Sequence, residues 1–298
     1  MDGAPRAPER TSHGQVIAIM LVGSTLWGLY WLPLRWLDQA GLGGLWALTC
    51  IYIGATGTLS VLARGYWPVL LAARWRLTGI GLSAAVAGIA FGLGMIEGEV
   101  ARVLILFYLS PVWAVLLGWV LLGERIVPVT VPALILALVG AGLMLLSDLH
   151  APAWDLIPAF SAADLLGLVA GLFFALTNVQ LRAERNLPGA LKNLATCMLV
   201  PPLAGAAALG LGTPLTAPWW ALPAALGVGL IWLSAMTAAT QLGISQLPLQ
   251  RSSVLLLFEL IVGAVSAALL AGESLSLAEL AGGACIVLAG LAVVWLRP

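Results

Sequence analysis

Residues Arg102-Val-Leu-Ile-Leu-Phe-Tyr-Leu-Ser-Pro-Val-Trp113 overlay, 149 positions further on, Arg251-Ser-Ser-Val-Leu-Leu-Leu-Phe-Glu-Leu-Ile-Val262. Both stretches open on an arginine and run into an apolar segment that closes on Gly-Glu, Gly123-Glu124 in the first and Gly272-Glu273 in the second. Gly94 and Gly243 match at the same offset. Leucine matches carry no weight in so apolar a chain, but an arginine before the run and Gly-Glu after it are hard to obtain by chance. The offset is half the chain, so the sequence reads as two repeats, residues 1–149 and 150–298.

What kind of repeat follows from composition. Hydrophobic residues make up 61% of the chain and charged residues 9%, and the mean hydropathy is +1.05. A soluble domain needs about 25% charged residues to keep its surface wet. Lipid is therefore the solvent for most of this surface. The formal charge of zero and a pI near 6.7 leave no basic face for nucleic acid. Cys50, Cys197 and Cys285 lie in apolar runs without ligand or disulfide spacing and read as packing residues.

A bilayer core of roughly 30 Å takes about 20 helical residues. Apolar runs of that order are Val16–Trp36, Gly43–Ala63, Leu77–Ile96, Val103–Leu122 and Val129–Leu146. The second half gives Leu165–Leu181, Leu194–Leu211, Trp219–Ala239, Ser252–Ala271 and Leu277–Leu296. No cleavable signal is expected, since Met1–Gln15 is polar and the first run is long enough to remain an anchor. Ten spans put both termini on one side. With the N-terminus cytoplasmic, eleven basic residues fall inside (Arg6, Arg10, Arg64, Arg74, Arg76, Arg125, Arg182, Arg185, Lys192, Arg251, Arg297) and only Arg35 and Arg102 outside. The outer loop after the fifth span carries Asp148, His150 and Asp155 and no Lys or Arg. Trp67, Trp75, Trp119 and Trp295 fall at cytoplasmic span ends, and Trp36, Trp46, Trp154, Trp219 and Trp220 at outer ones, where they read as interface anchors.

Five spans per half is an odd number, so the second half enters the membrane inverted. The expected fold is an all-α membrane protein, ten transmembrane helices as two inverted-topology five-helix repeats around a central cavity. Inverted repeats are a construction of secondary transporters, because two halves that can exchange conformations alternate access to a site between them.

The same residues carry a resemblance. Trp27-Gly28, Ser110-Pro111-Val112-Trp113 with Leu122-Gly123-Glu124, Gly272-Glu273, and glycine-rich fifth and tenth spans (Gly140, Gly142; Gly282, Gly283, Gly290) resemble the EamA family of the drug/metabolite transporter superfamily. Within it the chain is most similar to YddG-type aromatic amino acid exporters. The resemblance implies a ten-helix basket in the bacterial inner membrane, a cavity lined mainly by spans other than the fifth and tenth, and export of amino acids or related metabolites. The chain departs from its own symmetry at two points: Pro111 has Leu260 as its mate, and Trp27-Gly28 has roughly Ala175-Leu176.

Glu259 is the candidate of greatest interest, an ionisable residue seven positions into the ninth span. A charge at that depth is costly unless it faces protein or water. It reads either as a cavity residue meeting a substrate ammonium or a proton, or as a carboxyl that joins helices. Its repeat mate is Ser110. Trp27, Tyr30, Tyr108, Trp113, Asn178, Trp232, Thr237 and Gln241 complete the candidate substrate-binding set. Aromatic faces suit apolar side chains and amides suit zwitterions, while packing is the other reading of each. Arg102 and Arg251 start helices, where they either draw carboxylates toward the two mouths or snorkel to the surface. Gly88-Ile-Ala-Phe-Gly92 reads as close helix packing, and the small-residue rows of spans five and ten place those spans at the periphery.

Lys192 lies in no glycine-rich loop, and His13 and His150 lie outside the spans, so neither a nucleotide-driven motor nor an intramembrane hydrolase is indicated. No cofactor or metal is expected. The partners expected are a small-molecule substrate and the lipid bilayer, with oligomeric state open. A membrane-embedded enzyme and a non-transporting assembly protein are the alternatives to a transporter.

Overall fold

The computed structural model describes residues 13–123, 131–145, 161–184, 186–247, 255–256, 258–273 and 276–295. Arg6, Arg10, Glu124, Arg125, Asp148, His150, Trp154, Asp155, Arg185, Arg251 and Arg297, and the expectations resting on them, lie outside those residues.

Every regular element among the described residues is helical. In chain order they are α1 (His13–Gly28), α2 (Trp31–Gln39), α3 (Gly44–Ala63), α4 (Trp67–Ala72), α5 (Arg74–Glu97), α6 (Val100–Phe107), α7 (Ser110–Leu122) and α8 (Val131–Leu145). There follow α9 (Ala162–Ala183), α10 (Gly189–Met198), α11 (Val200–Gly210), α12 (Ala221–Gly227), α13 (Ser234–Gln246), α14 (Phe258–Ser266) and α15 (Leu277–Trp295). A π-helical stretch, Val228–Leu233, joins α12 to α13, and another, Ala267–Ala271, extends α14.

Among the described residues, seven stretches are long and apolar enough to cross a membrane: Gly14–Gln39, Gly44–Ala72, Arg74–Glu97, Val100–Leu122, Ala162–Ala183, Gly189–Gly210 and Ala221–Gly243. Where the fifth, ninth and tenth spans are expected, shorter apolar helices stand: Val131–Gly140, Phe258–Ala271 and Leu280–Ala289. Large side chains on the outer surface are apolar, with Val61, Ile231 and Leu269 at 60%, 69% and 78% exposure. Water would not hold such a surface apart, whereas lipid does. The chain is an all-α, multi-pass membrane protein. The segment between the second and third spans, expected as a loop, is instead a 3₁₀ turn (Arg64–Tyr66) followed by α4, with Trp67 at 51% exposure.

Among the described residues three spans are broken into two α-helices, and proline accounts for each. A proline lacks the N–H that would reach back four residues, and its ring crowds that carbonyl. Pro33 faces the Leu29 carbonyl, which accepts instead from Leu32 N at 3.0 Å, and the helix breaks between α1 and α2. Pro111 acts on Phe107, where α6 ends. Pro201 and Pro202 act on Cys197 and Met198, where α10 ends.

Helix α5 packs on α9, and α1 on α13; α7 lies on α9, and α1 on α14. Helix α3 touches α10, α11, α12 and the π stretch, while α8 and α15 pack on each other. Glycine sets the closest crossings: a side chain at Gly54 would strike the Leu226 carbonyl, and one at Gly229 the Ile51 carbonyl. Backbones approach this closely in membranes because only small residues leave room. Gly88 and Gly92 fall on the second span, against the Tyr52 hydroxyl and the Leu48 side chain. Gly140 abuts the Gly282 carbonyl and Cys285, which gives the small residues of α8 and α15 their packing role.

Candidate functional site

The interruption at Pro111 fixes the centre of the site. Tyr108 ends α6, its N–H bonded to Leu104 O at 3.0 Å, and its side chain leaves the helix where the backbone turns toward Ser110. The phenol oxygen stands 3.2 Å from Glu259 Oε2 and 3.1 Å from the Leu256 carbonyl. A phenol has one hydrogen, so it donates to only one of these two acceptors at a time. A neutral carboxyl that donated to the phenol would let the phenol donate to Leu256, and all three groups would be served. An ionised carboxyl takes the phenol hydrogen for itself.

Glu259 is 6% exposed. The ion pairs among the described residues are Arg35–Glu273, Arg76–Glu184 and Arg102–Asp164, and Glu259 belongs to none of them. A carboxyl buried in a membrane protein with a phenol but no cation is a costly arrangement, of the kind found on substrate and ion paths.

The first span is brought against the backbone of Glu259 by Gly28. A β-carbon there would lie 2.6 Å from the Glu259 carbonyl oxygen and 2.8 Å from Val262 Cβ. Three aromatic residues lie around this crossing of the first span. Trp27 meets Tyr30 edge to face, ring centres 6.0 Å apart, and Trp232 donates Nε1–H to the Leu26 carbonyl at 3.0 Å. Trp232 itself belongs to the π stretch, and such wide turns recur at functional sites. Tyr30 is 1% exposed and its hydroxyl has no hydrogen-bond partner among the described residues; nor has the buried Nε1–H of Trp113. Buried donors without partners cost about 1–3 kcal/mol each and call for an explanation.

Of the residues named from sequence, Glu259, Tyr108, Trp27, Tyr30 and Trp232 thus surround the breaks in the first and fourth spans. Ser110 is buried at the first position of α7, beside them. Trp113 is half-buried one turn further along α7. Thr237 and Gln241 are half-buried on α13, five and nine residues beyond Trp232, with the Gln241 amide next to Gly189 at the start of α10. Asn178 is exposed on α9, seven residues, or about 10 Å of helix, past the contact of Gly171 with the Phe107 carbonyl.

Sequence reading missed several groups. Phe107 packs between Phe91 and Phe174, both ring centres at 5.0 Å, and stands edge to face with Tyr108 at 5.7 Å. Nothing in linear spacing joins these three phenylalanines. A polar chain links the third and sixth spans: Thr177 Oγ1 donates to Ser83 Oγ at 2.9 Å, and Ser83 Oγ to Gln180 Oε1 at 2.8 Å. Arg102 neither snorkels nor waits for substrate. It is 9% exposed, and its Nε donates to Asp164 Oδ1 at 2.7 Å. Asp164 was legible in principle, since Ser161-x-x-Asp164 before an apolar run is a capping box, and the box is formed here. At the same end of the bundle Arg35 Nη2 pairs with Glu273 Oε1 at 2.9 Å. No group of three or more metal-ligating side chains occurs among the described residues.

No protein-family model matches the chain. A protein from Archaeoglobus fulgidus described as an uncharacterized transporter is 28% identical over 204 residues, which is 66% of this chain and 67% of that protein. A solved crystal structure superposes on 96% of this chain and 98% of its own with a TM-score of 0.56, at 18% sequence identity. At that identity the likeness is one of fold.

Proposed function

We propose that the chain is a secondary transporter rather than an enzyme, and that its site is the carboxyl–phenol pair of Glu259 and Tyr108. The observation that carries this reading is a buried carboxyl that meets no cation among the described residues, held where the first and fourth spans are broken. Broken helices around a polar group near mid-span are how many transporters build a binding site. The name of the Archaeoglobus relative supports the same class.

In this reading the protein has ten spans as two inverted five-helix halves, divided near residue 149, with both termini cytoplasmic. Support comes from the way helices pair. Exchanging each span for its mate five spans later turns the contact of α5 with α9 into that of α13 with α1, and the contact of α7 with α9 into that of α14 with α1. The pairing of α8 with α15 maps onto itself. The resemblance to the EamA family then adds the direction and cargo: export of amino acids, aromatic or of broad range, across a bacterial inner membrane by alternating access. Glu259 takes the substrate ammonium. Tyr30 and Trp113 offer unpartnered donors to its other polar groups, and Trp27 and Trp232 offer ring faces to its side chain.

The test is efflux from proteoliposomes loaded with a panel of amino acids, with and without a pH gradient. Protein-dependent efflux of aromatic or other amino acids is the expected result. Efflux indistinguishable from empty liposomes for every member of the panel would remove the reading.

A further inference from the structure

The guanidinium of Arg35, on α2 near the outer end of the first span, is held from four directions. Its Nε donates to Met95 O at 2.9 Å, its Nη2 donates to Gly98 O and pairs with Glu273, and its plane lies over the Trp31 ring at 5.1 Å. Glu273 is held more lightly. Among the described residues its side chain has Arg35 on Oε1 and a long contact, 3.4 Å, from Ala101 N at the start of α6 to Oε2. Together the two side chains fasten the outer ends of the first, third, fourth and ninth spans, directly above the Trp31–Ser266 hydrogen bond of 3.0 Å.

Resting on the transport reading, we propose that Arg35 and Glu273 are the outer gate of the solute path, with Arg35 as the fixed receiver and Glu273 as the part that leaves. Three observations give the pair that division of labour. Arg35 keeps two carbonyls and an aromatic face when the carboxylate departs, so its position does not depend on Glu273. Glu273 follows Gly272, whose φ of 70° is the left-handed turn that ends the helix and aims the next residue back across the bundle. Below that turn the span is π-helical from Ala267 to Ala271, and a wide turn of this kind can shift register by tightening to α winding.

The repeat also makes the gate one-sided. At the 149-residue offset Arg35 corresponds to Glu184 and Glu273 to Glu124, two acids in place of an ion pair. Glu184 is bonded instead to Arg76 Nη1 at 2.8 Å, an exposed contact within reach of water and salt. Among the described residues the inner end thus carries no copy of the Arg35–Glu273 pair, and in this proposal the resting protein is closed toward the outside.

The test is thiol labelling, which needs no knowledge of the solute. Ser266→Cys, in a full-length chain whose three native cysteines are replaced by alanine, reports the space beneath the latch. An impermeant maleimide is added outside spheroplasts. Glu273→Gln and Arg35→Gln are each expected to raise the labelling rate at least about tenfold, as a shift of the shut population requires. Labelling within about twofold of the parent in Glu273→Gln, in protein that still elutes as one folded species, would overturn the gate. Glu273→Gln carries the test even where Arg35→Gln fails to fold, because it keeps shape and hydrogen bonding. Faster labelling in a protein that moves no solute would keep the gate and remove the transport reading. Unchanged labelling in one that moves solute would do the reverse.

Discussion

Arg102 and Asp164 meet across the boundary between the fourth and sixth spans, Nε to Oδ1 at 2.7 Å, with side chains 11% and 2% exposed. Asp164 also closes the capping box at the start of α9, where Ser161 Oγ accepts from its N–H at 3.1 Å and its Oδ2 accepts from Ser161 N at 2.8 Å. One carboxylate thus ends a helix and neutralises a cation at once. Removing either member takes a close, buried counter-charge from the other.

Asp164→Asn is therefore expected to destabilise the protein by about 3 kcal/mol or more, the scale on which half of a buried ion pair is missed. Arg102→Met combined with Asp164→Leu should recover a large part of that loss, since both charges of the pair are then removed together. Thermal unfolding of the detergent-solubilised variants reads both effects. Equal losses in the single and double variants would mean that the cap and not the pair carries the stability.

Glu259→Gln keeps size and hydrogen bonding while removing titration. It is expected to insert and fold normally, yet to lose transport of ammonium-bearing solutes by at least about tenfold, an effect of about 1.4 kcal/mol, or to lose its pH response. Tyr108→Phe should alter the pH profile as well, because the phenol is the described hydrogen-bond partner of the carboxyl. Ser110→Ala, with no charge to remove, should shift substrate preference more gently. Unchanged rate, pH profile and range in Glu259→Gln would reduce this carboxyl to a joint between helices.

Gly28→Ala puts a methyl 2.6 Å from the Glu259 carbonyl and must push the first span off the ninth. The expected cost is about 1–3 kcal/mol, as for other overpacked contacts. Gly57→Ala is the control, since nothing stands within 4 Å of its new methyl and the site is mid-helix. It should be neutral or stabilising by up to about 1 kcal/mol. Both are read from melting curves, and similar shifts in the two would show that helix propensity dominates over the crossing.

In the proposed ten-span topology, a periplasm-active reporter fused after Pro298 should stay silent, because that topology divides the basic residues so unevenly between two sides. Strong activity at that fusion would invert the topology and exchange the inner and outer ends of the bundle.

The sequence made seven of the ten expected spans readable as membrane-length helices among the described residues, because lipid imposes length and apolarity on every helix that crosses it. Glu259 was readable for the same reason, as a charge where charges are excluded. Trp27-Gly28 stood out as a motif, but its physical role, Gly28 clearing the way for the ninth span, needed the partner helix to be known. The Arg35–Glu273 pair was not readable. Both residues lie at span ends, where charges are ordinary, and 238 positions separate them. Phe91, Phe107 and Phe174 were hidden likewise, being three apolar residues among many until folding stacked them.

The wide turn at Val228–Leu233 has an arithmetic consequence for everything after it. A π turn amounts to one residue added to an α-helix without lengthening its hydrogen-bonded ladder. Each residue in an α-helix advances the azimuth by about 100°. Winding the stretch to α with every residue retained would turn Thr237 and Gln241 by that angle about the axis, while Ala221 and Ala225 before it stayed in place. The surplus residue thus acts as a phase setting for the second half of the eighth span. Tightening that turn to α winding would re-aim one half of this helix against the other while adding only about 1.5 Å of length.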